Sequence, residues 1–197
     1  SIQFIAASGK TTIPGCKPKD DPLCKFGSTA PPSAGGKYAV FAGYDNEGKP
    51  TKGGIYRVRL GVKPIVYETV VKIGQQVPGE RKGTTFQVFG EAVSVSSAGR
   101  TILFWGGWGG THEKPMKCPD EGNAAMRAAC DLATVEAGEE EALTNPITTK
   151  LVPNKQGFFV CDMQLGTTTR IVKTGDSVDG AAITDFVYWN FSGRVAG

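Results

Sequence analysis

The chain has 197 residues, with 22 Lys and Arg against 19 Asp and Glu, a formal net charge of +3. That balance is too mild, and its cations too scattered, to call for nucleic acid, and no apolar run approaches the roughly 18–20 residues of a membrane-spanning helix. The 27 Gly and 12 Pro, separated by short apolar runs, describe many strands joined by tight turns.

In chain order, Ser1 to Ala7 reads as a strand, followed by turns at Gly9 and Pro14-Gly15. Cys16 and Cys24 bracket a polar loop rich in Lys and Asp. After the turn Pro31 to Gly36 comes a strand, Lys37 to Gly43. Asp45-Asn46-Glu47-Gly48 is a hairpin turn; it lacks the later ligands of a calcium loop. Ile55 to Leu60 alternates, with Tyr56, Val58 and Leu60 on one face and Arg57 and Arg59 on the other, which predicts a half-buried strand. Pro64 to Ile73 and Thr85 to Val95 are further strands, rich in β-branched residues and Phe.

Much of this order recurs. Val70 to Gly79 (V-V-K-I-G-Q-Q-V-P-G) returns as Ala6 to Gly15 and as Ile171 to Gly180, so Gly9, Gly74 and Gly175 are equivalent. Gly36, Gly99 and Gly193 are equivalent too, each followed by Lys or Arg. Gly157 to Met163 matches Gly54 to Leu60 position for position, which turns Cys161 inward as a buried free thiol. The repeat predicts an all-β fold of antiparallel, propeller-like units: 1–15 plus 175–197, 16–79 and 80–174. One long irregular insertion, 106–156, interrupts the last; within it Asn123 to Ala133 predicts a short helix. The first and last pieces are two halves of a unit, so strand addition at the termini predicts a homo-oligomer or polymer.

Four of the five Cys fall into close pairs in turn-rich segments. Cys16–Cys24 and Cys118–Cys130 disulfides, and hence an oxidising, extracellular compartment, follow. Zinc is disfavoured, because no Cys-x2-Cys spacing occurs and His112 is the single histidine. Asn190-Phe191-Ser192 is a glycosylation sequon in a eukaryotic secretory pathway, at a position where Asn also suits the turn.

The units G-x-x-(V/I)-P-G, F-x-x-F, G-(R/K)-x-(V/I)-x-F and G-(I/F)-(Y/F) resemble a large group of secreted tandem-repeat proteins. Gly74, Val77, Pro78, Gly79, Phe86, Phe89, Gly99, Arg100 and Phe104 carry the likeness, with Gly54-Ile55-Tyr56. The resemblance implies propeller-like units and secretion; it brings no catalytic residues.

Trp105, Trp108 and His112 stand at the mouth of the insertion, where aromatics could stack on sugar rings. The competing reading puts Trp105 in the core, with the insertion folded over Trp108. No nucleophile elbow, phosphate-binding loop or multi-histidine metal site is present in the sequence, so no cofactor or metal is expected. The expected function is a non-catalytic secreted protein that binds glycans or assembles into oligomers, filaments or a larger extracellular layer. The alternative is a secreted hydrolase with its site beneath 106–156.

Overall fold

The computed structural model describes residues 3–17, 21, 24–46, 49–117, 147–184 and 186, with the side chains of 114–117 and 147–150 excepted. The predicted Cys118–Cys130 bridge, the helix at Asn123 to Ala133, and Asn190 lie outside the described residues. The described residues form antiparallel β-structure with no helix. The chain divides into two units, Ser1–Gly110 with Asn154–Gly197, and Thr111–Pro153.

The first sheet holds β1 (Ser28–Thr29), β2 (Ser33–Gly35), β3 (Tyr38–Tyr44), β4 (Gly53–Arg59) and β5 (Tyr67–Lys72). Its order is β1-β3-β4-β5, with β2 also paired to β3. The hairpin between β3 and β4 is tied by Asp45, whose Oδ1 accepts from the amides of Thr51 and Lys52, both at 3.0 Å. The second sheet holds β6 (Val88–Phe89), β7 (Ser94–Val95), β8 (Thr101–Lys117), β9 (Ile147–Asp162) and β10 (Thr167–Lys173). Its order is β6-β8-β9-β10, with β7 also on β8. A hairpin of β11 (Ser177–Val178) and β12 (Ala181–Ala182) follows. Neither five-stranded sheet closes on itself.

The two sheets share more than strand order. Thr29 faces Gly43, and Phe89 faces Gly106. Ser33 faces Val40, and Ser94 faces Leu103. Gly54 faces Lys72, and Gly157 faces Lys173. Each outer ladder carries one bulge, where the partner strand passes Val70 in the first sheet and Ile171 in the second. The glycines aligned in the sequence also act alike. The amides of Gly9, Gly74 and Gly175 donate to the carbonyls of Phe26, Phe86 and Ile183 at 2.6, 2.9 and 2.8 Å. All three have positive φ, the backbone region that glycine tolerates.

One core cluster joins the two sheets. Val40, Ala42, Tyr44, Ile55 and Val71 of the first pack with Phe104, Trp108, Phe159 and Cys161 of the second and with Phe86. The other face of the first sheet, through Phe41, Tyr56 and Val58, packs with Phe26 and Ile13, and Ile5 and Ala6 lie against it. Full burial of each such side chain contributes roughly 1.5–3 kcal/mol.

Several expectations are corrected. Residues 3–7 are not in a strand; Gln3 instead makes side-chain hydrogen bonds to the amide of Gly61 and the carbonyl of Val62. Thr85 to Val95 is broken into β6 and β7, separated by Gly90. The irregular insertion does not begin at Gly106, since β8 runs on to Lys117 and β9 starts at Ile147. The strand at Ile55 is covered on both faces, with Arg57 only 8% exposed. Its alternation looked half-buried because one buried position carries a charge.

Candidate functional site

The predicted trio does not form one surface. Trp108 is fully buried, its ring edge-on to Phe86 and Phe159 at 6.4 and 5.8 Å. Among the described residues its indole N–H meets no acceptor. Trp105 is half-buried beside Gly90. His112 is exposed and belongs to the second unit. The Cys16–Cys24 disulfide is present, with Cα atoms 5.4 Å apart. Asp21 lies near it, but both sulfurs are spent on the bridge and leave no thiolate for a metal. Cys161 is free and buried, its Sγ 3.6 Å from the Met163 sulfur. Burial pushes its thiol pKa up, against a hydrogen bond from Thr168.

What the fold does bring together is a cleft of about 330 Å³ where the two sheets meet, lined by Tyr38, Arg57, Ala98, Arg100, Met163 and Gln164. Arg57 stands at its wall. Its Nε donates to Glu68 Oε2 at 3.0 Å, Nη2 pairs with the same oxygen, and Nη1 donates to the Gly99 carbonyl at 2.7 Å. The guanidinium carbon lies 4.3 Å from the centre of the Tyr38 ring. These partners hold the charge in place, so the cation spans the inter-sheet seam as a structural tie.

A second charged cluster sits on the edge strand β10. Glu80 Oε1 accepts from Arg170 Nη1 at 2.7 Å and from Lys173 Nζ at 2.8 Å. Arg170 also donates to the Pro78 carbonyl at 3.2 Å. Burial by itself raises the Glu80 pKa, but the hydrogen bond from Lys173 and the charges of Lys173, Arg170 and Lys155 outweigh it and hold the carboxyl below its ordinary value.

The third feature is the outer face of the second sheet. Register places Leu103, Trp105, Phe158, Ile171 and Val172 where the first sheet has Val40, Ala42, Ile55, Val70 and Val71. In the first sheet those side chains are 0–6% exposed, whereas Leu103 is 38% and Ile171 58% exposed. Phe186 covers part of this face, 5.2 Å from Phe158 and edge-on to it.

No family model, curated protein or solved structure matches this chain.

Neither charged cluster was found from the sequence. Arg57 and Gly99, or Glu80 and Lys173, are brought together only by pairing across the fold. The outer face carried a signal, because the alignment of Gly157 to Met163 with Gly54 to Leu60 already pairs Phe158 with Ile55.

Proposed function

We propose that the chain is a non-catalytic, secreted protein whose sheets are propeller-like repeat units that stack with those of further copies. The observation that carries the reading is the outer face of the second sheet. Its positions match those buried between the sheets, yet Leu103 and Ile171 remain exposed. In the first sheet the same positions are covered by a neighbouring sheet of the same register. A second copy supplies such a sheet, and repetition of that contact gives a ring or a filament. The equal strand order and bulge position of the two sheets support the repeat reading. The Cys16–Cys24 disulfide supports an oxidising compartment.

Light scattering tests this. The native protein is expected at multiples of 20.8 kDa, and Ile171→Lys with Leu103→Lys is expected to return it to a single chain. A native protein already monomeric at micromolar concentration would overturn the reading.

A further inference from the structure

We propose that Arg170, Lys173 and Lys155, on and beside the edge strand β10, form a binding site for an anionic polysaccharide. Two cations bond one carboxylate, and the charge of a third, Lys155, reaches it. Glu80 is only 10% exposed and accepts from both Arg170 and Lys173, so its charge is turned inward. Lys155, which Glu80 also feels, is exposed. Arg81 and Lys82 continue the positive surface in the adjoining exposed turn. The Oδ2 of Asp176, beside the cluster, accepts from the backbone amide of Lys173 at 2.9 Å.

Protons remain free for a ligand. Lys173 Nζ carries three and uses one on Glu80, and the Arg170 guanidinium carries five and directs only Nη1 toward Glu80 and the Pro78 carbonyl. The Arg170 and Lys173 head groups are also held in advance by Glu80 and, for Arg170, by the Pro78 carbonyl. Gly79, at φ +73°, lies directly against the Arg170 guanidinium, which is 3.1–3.2 Å from where a Cβ would stand. Cations held on the edge strand β10, with Lys155 beside them on β9, fit a linear chain bearing carboxylates or sulfates. The choice of polysaccharide over nucleic acid rests on the extracellular reading above and on the chain's net charge of only +3.

The test is affinity for heparin and for alginate, with dextran as the uncharged control, on the intact chain. Both polyanions are expected to bind at low salt and to be released as salt rises, while dextran does not bind. Lys155→Gln with Lys173→Gln is expected to weaken binding by roughly fivefold, whereas Lys37→Gln with Lys63→Gln, an equal loss of charge elsewhere, changes it little. Glu80→Gln keeps the side chain's shape, frees the cations and is expected to tighten binding. If the cluster only clamps the turn, Glu80→Gln lowers the melting temperature and leaves affinity unchanged, and the proposal fails. Equal losses from the two double variants, or tighter binding of single-stranded DNA than of either polysaccharide, would also overturn it. Every comparison is between variants that keep Leu103 and Ile171 and so share one oligomeric state, and assembly can fail while this site stands.

Discussion

The guanidinium of Arg57 and the carbonyl of Gly99 are 2.7 Å apart, one on β4 of the first sheet and the other in the turn before β8 of the second. This bond crosses the seam between the sheets and is backed by Glu68 and the Tyr38 ring. Arg57→Ala is expected to cost about 2–3 kcal/mol, because Glu68 and the Gly99 carbonyl lose their partner together. Arg57→Lys is expected to recover less than half of that, since an ammonium cannot reproduce the planar fork. Urea denaturation measures both; an alanine variant within about 0.5 kcal/mol of wild type would refute the role.

Gly43 and Gly106 each leave room for an aromatic ring. A Cβ on Gly43 would stand 2.7 Å from the Phe26 ring, and one on Gly106 would stand 2.7 Å from Phe86. Both rings are fully buried among other aromatics, so they cannot withdraw. Gly43→Ala and Gly106→Ala are each expected to cost about 1–3 kcal/mol. Shrinking the facing ring to Leu in the Gly106→Ala background is expected to restore part of the loss, a non-additivity visible in a double-mutant cycle.

The cysteines divide by environment. Opening Cys16–Cys24, eight residues apart, is expected to cost about 2–3 kcal/mol, read as a lower melting temperature in reductant. Cys161 is buried, so iodoacetamide is expected to label it only after unfolding. Rapid labelling of the native protein would contradict that placement.

Alkaline pH is expected to destabilise the fold. Burial, with the Glu91 charge, raises the pKa of Tyr44 far above its ordinary value, and burial raises that of Tyr56. A raised folded-state pKa means the stabilisation is complete below the unfolded value and is lost as pH climbs toward the folded one. Above about pH 10 each such phenol is expected to remove about 1.4 kcal/mol per pH unit. Tyr56→Phe should flatten that slope in denaturation curves measured across pH 9 to 11; an unchanged slope would show that the phenol does not contribute.

The sequence by itself determined the all-β antiparallel class, most strand positions and the Cys16–Cys24 bridge. These follow from local signals: turn glycines, alternation and close cysteine spacing act within a few residues. It also aligned Gly157 to Met163 with Gly54 to Leu60, so the inward register of Phe159 and Cys161 was legible. Only the tertiary structure decided that β4 is covered on both faces, because alternation reports charge, and the charge of Arg57 is satisfied by Glu68 and Gly99 from elsewhere in the fold. Only it separated Trp105 from Trp108, by continuing the β8 ladder past Gly106 and turning Trp108 into the core. And only packing could bring Glu80 against Arg170 and Lys173, since an ion pair between distant segments leaves no periodicity in either one.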